Sequence, residues 1–176
     1  MYEILRSSDA FHYLAHEVCD DKHPLTEQVC AYIFEDYLGI NQDQLNVSMI
    51  SFYLDHLPAG TSTETFVHYA QLYVKGNDAF DRYDWGPEEN VIRYGQAEPP
   101  AMDFSLITTP TALFVGDADD LACVADNEVL ASRLPNLLGN HLVDYEGWTH
   151  GDFVMAMDAD TLVYSKILDY MSQLNI

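Results

Sequence analysis

Apolar positions fall into two regimes along the chain. Between Phe11 and about Leu38 they recur at mixed spacings of three and four, as at Val29, Ile33, Phe34 and Tyr37. That spacing keeps side chains on one helical face. It predicts helix ending at Gly39, since glycine readily closes a helix. Pro24 starts rather than interrupts the segment, because a proline fits a first helical turn. From Asn46 to Gln96 the pattern is irregular and aromatic-rich, with a short helix predicted over Thr63–Tyr73 between the turn signals Pro58-Ala-Gly60 and Trp85-Gly86-Pro87. No repeat is visible. Gln96-Ala-Glu-Pro-Pro100 ends this part, because paired prolines forbid helix and favour extended chain.

The last third alternates strand and helix. Pro110-Thr-Ala-Leu-Phe-Val115, closed by Gly116, has the form of a strand buried on both faces of a parallel sheet. A helix is expected from about Asp126 to Leu134, with Asp126 or Asn127 as its N-cap. His141-Leu-Val-Asp-Tyr145 is a second strand. The closing helix begins near Asp158, and Val163, Ile167, Tyr170 and Met171 make one apolar stripe. This order implies a right-handed parallel crossover. Two strands alone do not make a stable sheet covered on both sides, so the fold is expected to be incomplete within these residues.

Composition narrows the function. The chain has 176 residues, 48% of them hydrophobic, which suits one packed unit. Its 29 acidic against 7 basic side chains give a formal charge of −22. That balance excludes a nucleic-acid binder and a basic membrane-binding patch, both of which need clustered Lys and Arg. Such acidity is relieved at low pH, a mild pointer to an acidic setting. Cys19, Cys30 and Cys123 are too scattered for a zinc site or a disulfide framework and read as buried thiols. Asn46-Val-Ser48 is the one glycosylation sequon. The opening Met1-Tyr-Glu-Ile-Leu-Arg-Ser-Ser8 lacks the form of a signal peptide, and no stretch is long and apolar enough to span a bilayer. If the protein follows a secretory route, the start of the chain is expected to be missing.

Reactive groups in open parallel sheets gather at the carboxyl ends of strands. Two loops qualify here, Gly116-Asp-Ala-Asp-Asp-Leu-Ala122 and Gly147-Trp-Thr-His-Gly-Asp-Phe153. An Asp on the first and His150 on the second follow the Ser, Asp, His order of α/β-hydrolases. In that chemistry a carboxylate orients the imidazole while its other nitrogen takes the serine proton. Asp117, Asp119 and Asp120 all compete for the acid role at this level. A calcium loop fits poorly, since its fifth position would be Leu121 and no Gly or closing Glu falls correctly. Neither metal nor cofactor is expected.

Over most of its length the chain resembles the acid lipase family of gastric and lysosomal lipases. The resemblance runs through His56-Leu-Pro-Ala-Gly-Thr-Ser62, His68-Tyr-Ala-Gln71, Tyr83-Asp-Trp-Gly86 with Asn90, Tyr94-Gly-Gln96 and Pro99-Pro100. It continues through Pro110-Thr-Ala, Gly116-Asp-Ala-Asp-Asp-Leu-Ala122, Leu134-Pro-Asn-Leu137, His150-Gly-Asp-Phe153 and Met157-Asp-Ala159. The resemblance implies that the chain is the C-terminal part of an α/β-hydrolase fold. Residues 1–102 would be a helical cap and lid region facing a lipid–water interface, and residues 103–176 the last two parallel strands and their helices. It selects Asp119, before the x-Leu-Ala step, as the triad acid and His150 as the base. It also implies lipid ester substrates, a lysosomal or secreted location, a glycan on Asn46 and a cap disulfide from Cys19 to Cys30, whose spacing is slightly longer than the family's. Cys123 replaces the family's usual Asp, and Tyr69 replaces a Trp after His68.

The nucleophile of such a triad sits in Gly-x-Ser-x-Gly, which does not occur in these 176 residues. Gly60-Thr-Ser62-Thr-Glu64 ends in Glu and lies in cap-like sequence, and no consecutive glycines offer an oxyanion hole. Two expectations follow. Either the chain is a piece of a lipase whose full form carries the serine, or it is a non-catalytic remnant that binds lipid or a partner.

Overall fold

The computed structural model describes residues 3–6, 8–19, 24–76 and 79–174. Its helical part opens with the two-residue strand β1 (Glu3–Ile4) and helices α1 (Asp9–Val18), α2 (Pro24–Leu38) and α3 (Ile50–Leu54). Ser8 caps α1 by accepting the amide of Phe11 at 3.2 Å, and Asp9 lies in the first turn, where negative charge suits the helix dipole. The single expected helix over 11–38 is therefore two helices. Residues 20–23 between them lie outside the described residues, as does the side chain of Tyr37. Gly39, with φ of +59°, follows the end of α2 as expected. A disulfide joins Cys19 to Cys30, so the reading of these two as buried thiols gives way to the pairing that the resemblance implied.

Strand β2 (Thr61–Ser62) pairs antiparallel with β1 and leads into α4 (Thr63–Lys75), capped by Ser62. Helix α5 (Pro87–Tyr94) starts on a proline, carries Glu88 and Glu89 in its first turn and ends on left-handed Gly95. The motif residues of this region build one clasp. Asn90, fully buried, accepts from the Trp85 amide and donates to Asp84 Oδ1 and to the Ala97 carbonyl. The Gln71 side chain brackets the Asp84 backbone, and His68 Nε2 donates to the Asp81 carbonyl at 2.9 Å. Two hydrogen bonds from Asn90 and Gly86 hold the Asp84 carboxyl below the usual carboxylate range.

The α/β part contains β3 (Thr111–Val115), α6 (Val124–Arg133), β4 (Leu137–Leu142), α7 (Asp152–Met155) and α8 (Ser165–Gln173). Strands β3 and β4 are parallel, with Val115 opposite Leu142. Three expectations need correction. Strand β4 runs from Leu137 to Leu142 rather than from His141 to Tyr145, because β3 sets its register and the chain turns after Val143, whose amide still reaches the Val115 carbonyl. Helix α6 starts at Val124 with Cys123 as N-cap, because Asp119 gathers the Leu121 and Ala122 amides and turns the chain earlier; Asp126 falls inside the first turn. Strand β3 is buried only at Val115 and half-buried elsewhere, since β4 is its one strand neighbour among the described residues. The closing helix enters through a wide turn over Asp160–Tyr164 before α8, placing Val163 in the core and Ile167 against it, with Met171 outside.

Two apolar clusters result. One gathers Cys19, Cys30, Phe34, Ile40, Leu45 and Ile50, and the other Val143, Trp148, Ala159 and Val163. They are stitched together by polar contacts. Buried Gln44 donates to Asp158 Oδ2 and accepts the Asp158 amide, and Leu45 bridges Ala156. Among the described residues no helix is long and apolar enough to cross a membrane.

Candidate active site

Parallel pairing puts the carboxyl ends of β3 and β4 side by side, so the loops that leave them must meet. Gly116 makes the meeting close. A Cβ there would lie 2.1 Å from the Trp148 carbonyl oxygen, a distance only hydrogen at that position permits. The loops are then tied by the Ala118 amide donating to the same carbonyl at 3.1 Å.

On this frame Asp119 and His150 meet, with Oδ2 of the carboxylate 3.1 Å from Nδ1 of the imidazole. The Asp119 side chain is 3% exposed and that of His150 53%. Oδ1 of Asp119 accepts the amides of Leu121 and Ala122 at 2.9 and 2.8 Å, which fixes the carboxylate independently of the ring. A carboxylate only accepts, so Nδ1 carries the proton of this bond, and in the neutral imidazole Nε2 is then left with a lone pair. The pair can therefore act as an oriented general base.

The competing aspartates take other work. Asp117 accepts the amides of Gly147 and Trp148, and Asp120 is exposed. Ser62 Oγ accepts the Glu64 amide as the cap of α4. Cys123 is a free, half-buried thiol at the start of α6. Asn46 is exposed, and the Ser48 hydroxyl donates to its Oδ1 at 2.8 Å. The described residues contain no group of three or more His, Cys, Asp or Glu that could hold a metal ion.

Sequence reasoning passed over Asp152 as a structural residue, although it is fully buried and accepts from Asn41 N, Thr149 N and Thr149 Oγ1 at 2.8 to 2.9 Å. The Thr149-x-x-Asp152 spacing, that of a capping box, was the available signal. An apolar cavity of about 360 Å³ lies between α4 and α6, bounded by Tyr69, Phe80, Phe114, Leu121 and Leu130. It reaches Leu121 and Ala122 of the loop that follows β3, but neither Asp119 nor His150 lines it.

A carboxylate and an imidazole in contact beyond the ends of adjacent parallel strands follow the chain order in which α/β-hydrolases carry their acid and base. Comparison with known proteins gives the family. The chain is 38% identical over 162 residues to gastric triacylglycerol lipase of Mus musculus, covering 92% of this chain and 40% of that protein. It is 31% identical over 172 residues to lysosomal acid lipase/cholesteryl ester hydrolase of Rattus norvegicus, covering 97% and 42%. Lipase member N of Mus musculus is 33% identical over 156 residues, covering 88% and 38%. No family model matches. The chain is thus related to the acid lipase family, and it spans about two fifths of the length of the relatives it matches. The relationship implies an α/β-hydrolase fold, with which the parallel pair and its helices are consistent.

Proposed function

We propose that this chain supplies the acid Asp119 and the base His150 of a lipase-type carboxylic ester hydrolase. The observation that carries the reading is the 3.1 Å contact between Asp119 Oδ2 and His150 Nδ1 at the ends of β3 and β4. In the working enzyme Nε2 of His150 takes the proton of a serine hydroxyl as it attacks the ester carbonyl. The imidazolium, stabilised by Asp119, then returns the proton to the leaving alcohol, and water repeats the cycle on the acyl-enzyme. The serine and the oxyanion donors come from sequence outside these 176 residues, a reading supported by the lack of a Gly-x-Ser-x-Gly segment here.

Substrates are lipid esters, triacylglycerol or cholesteryl ester, in keeping with the names of the relatives. Residues 1–102 act as the cap and lid, and residues 103–176 as the C-terminal part of the hydrolase core. The protein works in the lysosome or outside the cell, carrying a glycan on Asn46, a setting in keeping with the Cys19–Cys30 disulfide. The test is an assay of the isolated chain on a soluble chromogenic ester from acidic to neutral pH. No turnover is expected, whereas turnover abolished by His150→Ala would contradict the placement of the nucleophile outside the chain.

One observation favours a second, non-catalytic reading. Helices α1 and α2 expose Tyr13, Leu14, Val29 and Tyr32, each more than half accessible, which suits lipid or partner binding. Flotation with neutral phospholipid vesicles bearing triacylglycerol separates the readings. Binding unchanged by His150→Ala, in a chain that gives no activity even when joined to a serine-bearing segment, favours the second.

A further inference from the structure

His150 is half exposed, so packing does not hold its ring; its place is set by the backbone of its loop. That backbone is gripped from both sides. Asp117 accepts the amides of Gly147 and Trp148, each at 2.9 Å through Oδ1. Asp152 accepts the amide of Thr149 at 2.8 Å, and thus all three amides leading into His150 end on carboxylates. The other oxygen of Asp152 takes the Asn41 amide at 2.9 Å, tying the loop to the turn that follows α2. The same turn receives the Gly151 amide on the Gly39 carbonyl at 3.0 Å, and Asn41 Nδ2 donates to the Gly147 carbonyl at 3.0 Å.

We propose that Asp117 and Asp152 are positioning residues for His150, clamping its loop on either side so that Nδ1–H meets Asp119. This rests on the reading of Asp119 and His150 as acid and base. Three carboxylates lie within reach of one loop, and their labour is divided. Asp117 and Asp152 accept amides of the His150 loop through charge-assisted bonds, roughly twice as strong as neutral ones, whereas Asp119 takes the amides of its own loop on Oδ1 and presents Oδ2 to the imidazole. Asp152 is fully buried, and a buried carboxylate is tolerated only when its acceptor sites are filled, as these are. Asp117 acts from the solvent side and Asp152 from the core side, so rotation of the loop in either direction stretches one of them.

The test uses the full 176-residue chain labelled with ¹⁵N, reading the ring nitrogen shifts of His150 at neutral pH. Wild type shows the Nδ1–H tautomer. Asp117→Ala and Asp152→Ala lose that signature toward the Nε2–H form preferred by a free imidazole, and Asp152→Asn, which keeps one acceptor oxygen, restores part of it. Asp120→Ala removes a neighbouring charge without touching the loop and leaves the wild-type shifts. Folded Asp117→Ala and Asp152→Ala chains with wild-type ring shifts overturn the inference, and so does an equal change in Asp120→Ala. If Asp152→Ala does not fold, Asp117→Ala at the exposed side decides alone. Asp119→Asn separates the two levels. No change there contradicts the acid and base reading itself, whereas a change there with silent Asp117→Ala and Asp152→Ala sinks the positioning role only.

Discussion

Substituting Gly116 by Ala is the smallest change that should part the two loops. The new Cβ would stand 2.1 Å from the Trp148 carbonyl oxygen and 2.9 Å from its carbon, where ordinary contact begins near 3.4 Å. Both neighbours are backbone, so no side chain can swing aside and the loops must separate by roughly 1 Å. Overpacking of this kind costs about 1–3 kcal/mol. Lengthening the 3.1 Å bond from Ala118 to Trp148 adds about 1 kcal/mol. Reduced freedom of the unfolded chain returns about 0.4–1 kcal/mol, leaving a net loss of about 1–4 kcal/mol. The same shift stretches the Asp119–His150 contact beyond hydrogen-bond range. Urea unfolding followed by tryptophan fluorescence reads the first effect, since Trp148 is fully buried, and the His150 ring shifts read the second. A Gly116→Ala chain as stable as wild type, with unchanged ring shifts, would refute the reasoning.

Three further outcomes follow from the same contacts. Asn90→Asp sets a carboxylate oxygen against Asp84 Oδ1 and the Ala97 carbonyl, where amide hydrogens now bridge 2.7 and 2.8 Å; it should destabilise the chain by about 3 kcal/mol in urea unfolding near neutral pH. Ile50→Ala empties a fully buried position in the helical cluster and should cost about 2–5 kcal/mol by the same assay. His141 packs on Phe114 and Tyr170 with Lys166 beside it; burial first, and then the Lys166 charge, hold its pKa below the ordinary value. A base that binds its proton less readily when folded loses stability as pH falls through the ordinary histidine value toward the folded one. The Tm difference between His141→Gln and wild type should therefore move in favour of the variant from about pH 7.5 to about pH 5. A difference independent of pH would contradict it.

Much of the α/β part was legible because its signals are local. A short apolar run closed by Gly116 marks β3, and chain order places an Asp loop beside a His loop. The boundaries that moved were set by partners distant in sequence. Gly139 and Asn140 interrupt the apolar run of β4, yet they pair with Ala112 and Leu113 across the sheet, and only that pairing makes them strand. Helix α6 begins before its apparent cap because Asp119 uses its second oxygen on the backbone. The hold of Asp117 and Asp152 on the His150 loop was not legible for the same reason. Their partners are amides, which carry no residue identity, and Asn41 lies more than a hundred positions from Asp152. The choice of Asp119 over its neighbours came from family resemblance; spacing alone left three candidates, and the structure brings one of them to the imidazole.

The central claim is that Asp119 and His150 work as acid and base for a serine supplied by other sequence. It is tested most directly by joining this chain to the portion of Mus musculus gastric triacylglycerol lipase that it does not match, and measuring kcat/KM on a triacylglycerol emulsion. The account predicts turnover in the chimera, a loss of several orders of magnitude in His150→Ala and Asp119→Ala, and none in Asp120→Ala. A folded, active chimera indifferent to His150→Ala would contradict it.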